Sequence, residues 1–248
     1  MPNLLYNPLI TTINHNTSSF SNVPYYSQLN GIFSIDNAQI NFVSIDSNTG
    51  IISFNKGISI GVYNIYIQYL LNGVKNNITY VLNIIPTLNY SISNKKIYYG
   101  NIDKSVIPIV SQSNGIFILS DLSNNIYINK STGVLTFGNT INVGIYILNI
   151  SYILNSATNY FKYNLSVYPI INYDPPFSSI SLNYSKSVTP LVQQNNGLFY
   201  IYDSSGYELS SNIATITQNG IIIFNNSIST GTYIFTINYK LNELITKT

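Results

Sequence analysis

The 248-residue sequence has no cysteine and no tryptophan. Without thiols it forms no disulfide and no thiolate metal site. A carbohydrate-binding surface would have to stack sugars on tyrosine, so carbohydrate is an unsupported partner. Arginine is absent too, and all ten basic residues are lysine. Charged residues make up 7%, against roughly 25% in ordinary soluble domains. The net charge is +2 with no basic cluster, which gives no support to a nucleic-acid partner.

Chemistry-bearing constellations are missing as well. The one histidine, His15, has no nucleophile and carboxylate placed with it, and is expected as a solvated surface residue. The eight acidic residues are mostly isolated, with Asp36, Asp46, Asp103 and Asp121 in or near turns. Asp203 and Glu208 share a loop, where they are expected as solubilising residues rather than an acid/base pair. No glycine-rich phosphate loop is present. The expectation is a protein that is not an enzyme, with no catalytic, cofactor or metal site. No apolar run is long enough to span a bilayer. The first residues lack a cationic segment and an unbroken apolar core, so no signal peptide is expected.

What is abundant is strand chemistry: Ile, Tyr, Leu and Val, with Asn, Ser and Thr as the polar complement. It is arranged in three copies. A turn glycine (Gly50, Gly133, Gly220) precedes by eleven residues the glycine of a Gly-x-Tyr step (Gly61–Tyr63, Gly144–Tyr146, Gly231–Tyr233). Eight residues further on comes a Tyr-x-Leu-Asn corner (Tyr69–Asn72, Tyr152–Asn155, Tyr239–Asn242). Pro24, Pro108 and Pro190 each sit seven residues before Gly31, Gly115 and Gly197. Triplets ending in Tyr6, Tyr90 and Tyr173 open the copies. Boundaries are expected near Pro86 and Pro169, giving units 1–86, 87–169 and 170–248.

After each Gly-x-Tyr the apolar residues alternate: Tyr63, Ile65, Ile67, Tyr69, and their counterparts in the other units. Period two puts one face on a core and the other toward water. Tyr63, Tyr146 and Tyr233 are therefore expected in the core. Asp46 and Asn129 start turns that Gly50 and Gly133 close, and Gln218-Asn219-Gly220 reads as a tight hairpin. The neighbours Tyr25-Tyr26 and Tyr98-Tyr99 should split between faces. Tyr26, Tyr99 and Tyr200 are the candidate interface rings.

The third copy ends at Leu244-Ile245-Thr246-Lys247-Thr248, about eight residues short of the proline that closes the others. Three explanations compete: a longer product, a strand donated by a neighbour, or a tolerated short edge, the first being preferred. Leu244 and Ile245 join the interface candidates on that account.

The runs Ile45–Ile52 with Gly61–Tyr63, and Ile128–Leu135 with Gly144–Tyr146, resemble the "ID..TG.I … G.Y" pattern of cadherin-like and putative-Ig repeats. In the third unit Ile216 takes the place of Asp46 while Gly231–Tyr233 is retained. The resemblance implies an all-β fold of three tandem Ig-like antiparallel seven-stranded β-sandwiches, with a tyrosine corner, arranged as a rod on the order of 100 Å long. It implies roles in adhesion, spacing and assembly. One departure stands out: only Asp174 lies near a junction, too little for calcium. The functional expectation is a structural protein of a large DNA virus particle, as a minor capsid, cement or fibre component. The alternative is a fragment of a cell-surface adhesin, extracellular or on the cell surface. The expected partners are other structural proteins or copies of itself.

Overall fold

The computed structural model describes residues 3–36, 41–120, 125–176, 179 and 186–248; Asp121 lies outside them. Every element described is a strand. In the first unit Ile10–Asn14, Val74–Ile85, Gly61–Leu71 and Ile32–Ile35 form a four-stranded sheet in that spatial order. A second sheet runs Ser19–Phe20, Ile52–Phe54, Val43–Ile45. Leu4–Leu5 pairs with Tyr25–Tyr26. The second unit repeats this with Asn94–Tyr98, Ala157–Tyr168, Gly144–Leu154 and Ile116–Leu119, and with Asp103–Lys104, Leu135–Phe137 and Ile126–Ile128. These are tandem Ig-like, cadherin-like β-sandwiches.

One pairing departs from the antiparallel expectation. Ile10–Asn14 runs parallel to Val81–Ile85, and Asn94–Tyr98 parallel to Asn164–Tyr168. The reason is topological. A chain that enters a unit at one end and leaves at the other makes an odd number of passes, so its first and last strands point the same way.

Each unit has its own buried cluster, and the alternation read from the sequence supplies its centre. Ile65, Ile67 and Tyr69 are fully buried, as are Leu148, Ile150 and Tyr152, and Ile237 and Tyr239. The first tyrosine of each stripe is less deep than expected. Tyr63 and Tyr146 are half-buried, and Tyr233 is 39% exposed. Their hydroxyls donate to the carbonyls four residues back: Ser59, Asn142 and Ser229. Tyr233 is the most open because Gly231 to Phe235 have no ladder partner among the described residues, whereas Gly61 and Gly144 pair with Ile84 and Val167.

The repeated anchors meet in space. Tyr6, Tyr90 and Tyr173 are buried and donate to the carbonyls of Gly50, Gly133 and Gly220. Those glycines have φ near +70° (72°, 71° and 76°). A Cβ there would fall within 3 Å of Pro24 and Phe33, of Pro108 and Phe117, or of Pro190 and Phe199. Both the backbone conformation and the space therefore require glycine. The proline, the glycine, the phenylalanine and the opening tyrosine form one knot in each unit.

Asp46 Oδ1 accepts the N–H groups of Asn48 and Thr49, and Asn129 Oδ1 those of Ser131 and Thr132. In the third unit the turn is one residue shorter. Thr217 N–H donates to Ile221 O, as Asp46 N–H does to Ile51 O and Asn129 N–H to Val134 O. Thr217, not Ile216, therefore occupies the Asp46 position. Ile216 faces Ile222, as Ile45 faces Ile52.

Candidate interaction surfaces

The molecule offers three kinds of surface: titratable groups, outward sheet faces and the ends of the units. Among the described residues no group of three His, Cys, Asp or Glu side chains could hold a metal ion. Among the described residues no helix is long and apolar enough to cross a membrane. The Asp203 carboxylate closes its own loop by accepting the N–H groups of Ser205 and Tyr207. His15 is half-buried rather than solvated, and its Nδ1 has no partner. It lies just past the parallel strand, where its N–H donates to Ile85 O, and that pairing draws the ring against the sheet.

The unusual titrating groups are tyrosines. Burial raises Tyr6 well above the ordinary value of 10.0, with Tyr80 adding to the effect, and burial raises Tyr90 and Tyr173 similarly. Burial together with the nearby Asp103 charge pushes Tyr163 up to about 12. None of these faces a cleft with a second reactive group. They are core residues with polar tips.

The outward faces are more informative. On the outer face of the larger sheet stand Val62 and Tyr66 in the first unit, and Ile145 and Ile147, 61% and 58% exposed, in the second. Ile32 and Leu70 face each other across one strand pair, and Ile116 faces Ile153 in the next unit. In the third unit Leu198, Tyr200 and Ile234 are exposed. The alternation that fills the core thus leaves a second, outward set of large apolar residues, with lysines interleaved: Lys75 pairs with Leu70, Lys240 with Leu198, and Lys162 with Asn149 beside Ile147.

The interface candidates are distributed differently from the sequence expectation. The tyrosine pairs do split, but the exposed members are Tyr25 and Tyr98. Tyr26 turns inward against Phe33 and Tyr69, at centroid distances of 5.3 and 5.4 Å, and Tyr99 packs on the second core. The cause is register: Tyr26 pairs with Leu4, a core residue. Tyr200 and Ile245 are exposed. Leu244 is buried, at 6% exposure, on the strand that reaches the second unit.

Sequence reading missed the junctions between units. The corner asparagine of the second unit, Asn155, donates its side-chain N–H to Ile60 O at 3.2 Å. Asn242 of the third unit donates to Val143 O at 2.8 Å. Ile60 and Val143 immediately precede the Gly-x-Tyr glycines. Four residues after each of these asparagines, Asn159 donates to Pro86 O, and Thr246 to Pro169 O. Gln194 adds a clamp, accepting Val143 N–H and donating to Asn142 Oδ1. The repeat gave no separate signal, since the corner asparagines have φ of 49°, 48° and 48° and a two-residue turn favours asparagine there for its own sake.

No protein-family model and no curated protein matches the chain. Solved structures do. Extracellular domains 3–5 of Drosophila OTK are 11% identical, with 96% of this chain and 92% of that chain covered and a TM-score of 0.40. The EC21-23 segment of human CDH23 is 12% identical, with 100% and 98% covered and a TM-score of 0.30. The insect immune protein hemolin is 10% identical, with 99% and 74% covered and a TM-score of 0.33.

Proposed function

We propose that this chain is a non-enzymatic structural protein that works by contact area. The observation that carries this reading is the outward apolar set on the larger sheet of each unit, in a chain with 7% charged residues. Large apolar side chains that recur on the same face of successive domains mark contact surfaces. So little charge gives weak repulsion between neighbours. We assign the units to 1–86, 87–169 and 170–248, with other structural proteins or further copies as partners.

The finer reading is a component of a large DNA virus particle, as minor capsid, cement or fibre protein. It is supported by a surface suited to permanent packing. The second reading is a segment of a cell-surface adhesin. It is supported by the repeated junction bonds, which fix each sandwich on the one before it. Immunogold labelling separates the two: label on purified particles supports the first, and label confined to the cell surface supports the second. The contact reading itself is tested by Ile147→Lys in the full chain. The expected result is unchanged folding with reduced association with neighbours. Unchanged association would count against that face.

A further inference from the structure

The outer face of the larger sheet in the first unit is interrupted by a shallow polar cleft of about 260 Å³. Asp36, Tyr66, Gln68, Asn77 and Thr79 line it. Strand pairing brings them together. Tyr66 lies opposite Thr79, and Gln68 opposite Asn77, on the two long strands. Asp36 N–H donates to Tyr66 O at 2.9 Å, which sets Asp36 next to Tyr66 on the neighbouring segment. Asp36 is exposed, and Tyr66 is 51% exposed. Gln68 Nε2 donates to Asn77 Oδ1 at 3.4 Å. That bond leaves Gln68 Oε1 to accept and Asn77 Nδ2 to donate. The combination occurs in the first unit only. In the second, Ser120 N–H donates to Asn149 O, so Ser120, Asn149, Ser151, Tyr160 and Lys162 hold the same five places. In the third, Tyr202 and Thr236 stand where Asp36 and Tyr66 do.

We propose that this cleft binds a neutral sugar ring. The occupant follows from the chemistry and the size of the lining. A sugar presents adjacent hydroxyl groups, each able to donate and to accept. A carboxylate accepts from two of them, while two carboxamides and a threonine hydroxyl can both donate and accept. Bonds to the ionised Asp36 are charge-assisted and therefore the strong ones. The C–H face of a sugar needs an apolar platform, and Tyr66 supplies a half-exposed ring in a chain that has no tryptophan. The cleft is smaller than the roughly 300–1,000 Å³ of sites that take drug-sized ligands, so it holds one ring and not an extended chain. Among the described residues Asp36 is the one charged group lining it. Like charge disfavours an acidic sugar, a phosphate or a nucleic acid there. The site goes beyond the contact-area reading, because it gives the first unit a recognition role that needs no neighbouring protein.

Saturation-transfer NMR on the full chain tests it. The probes are the methyl glycosides of glucose, galactose, mannose, N-acetylglucosamine and N-acetylneuraminic acid, added one at a time. The expected result is transfer to the ring protons of at least one neutral glycoside and none to the acidic one. Tyr66→Ala and Asp36→Asn should each weaken binding of that glycoside about tenfold or more. Tyr66→Phe keeps the ring and should keep most of the binding. Asp36 and Tyr66 are both exposed, and circular dichroism checks that the variants fold. Tyr160→Ala, which removes a 76% exposed tyrosine from the second unit, should change nothing. No transfer to any neutral glycoside would overturn the proposal. So would binding that is unchanged in both Tyr66→Ala and Asp36→Asn, binding that is lost in Tyr160→Ala as well, or transfer to the acidic glycoside alone. Ile147→Lys should leave sugar binding intact, so the fate of this site and that of the outer contact face are read independently.

Discussion

The Tyr152 ring lies against Gly115. Its hydroxyl accepts the Gly115 N–H at 2.9 Å and donates to Gln112 O at 2.7 Å. A Cβ on Gly115 would fall 2.5 Å from that ring. Tyr69 holds Gly31 and Gln28 in the same way, and Tyr239 holds Gly197 and Gln194. Gly115→Ala should therefore overpack the corner, at a cost of about 1–3 kcal/mol. Chemical denaturation of the variant would show it as a lowered midpoint. An unchanged midpoint would mean that the ring can move aside.

Two buried tyrosine hydroxyls should respond oppositely to removal. Tyr90 donates to Gly133 O at 2.5 Å, and Tyr90→Phe strands that buried carbonyl at a cost of about 1–3 kcal/mol. Tyr163 has a buried hydroxyl with no partner. Tyr163→Phe should leave the melting temperature unchanged or raise it, since nothing is lost and a desolvated group is removed. Melting curves of the two variants side by side decide the point.

Stability should fall in alkali. Tyr6, Tyr90 and Tyr173 hold their protons in the folded state well above the ordinary value of 10.0, and Tyr163 does so up to about 12. Above pH 10 the unfolded chain therefore binds fewer protons than the folded one. The unfolding free energy then decreases with rising pH. The stabilisation is complete below pH 10 and is lost as pH climbs through the raised values. Denaturation midpoints between pH 9 and 12 should show this slope, and Tyr163→Phe should lessen it while the other three tyrosines keep the remainder.

In acid the turn that Asp46 starts should weaken. Backbone N–H groups of Thr49 and Asn48 hold the Asp46 carboxyl below its ordinary value of 3.8. That contribution is present above pH 3.8 and is lost as pH falls through the lowered value. Asn129 makes the same turn in the second unit without a titrating group. Asp46→Asn should keep the turn at neutral pH and reduce the acid dependence of unfolding. An acid profile identical to that of the parent would refute this assignment.

Ser156 sits in the corner turn with φ of +66°. A left-handed conformation costs a non-glycine residue roughly 1–2 kcal/mol. The first unit has Gly73 at the same place, with φ of +77°. Ser156→Gly should raise the melting temperature, provided the Asn155 bond to Ile60 is kept. A lowered melting temperature would show that Ser156 contributes to the junction.

Much of the fold was legible because period two and turn chemistry are local. Ile65, Ile67 and Tyr69 could be assigned to one face by alternation alone, and Gly50 and Gly133 to turns by their neighbours. The anchors were also legible as anchors, but not as contacts. Nothing in spacing says that Tyr6 donates to Gly50, because a hydrogen bond across 44 residues depends on how two sheets stack. The same limit explains Tyr26 and Tyr99. Alternation separates neighbouring rings, but only the pairing register says which of the two faces inward.

By itself, the sequence determined three copies of an all-β unit, their turns and their core stripes, because those follow from residue type and short-range periodicity. The tertiary structure decided that the first and last long strands run parallel and that the corner asparagines join one unit to the next. It also decided which apolar residues remain in contact with water. Each of these depends on which distant surfaces are brought together, and that is a property of how the sheets pack rather than of any short stretch of chain.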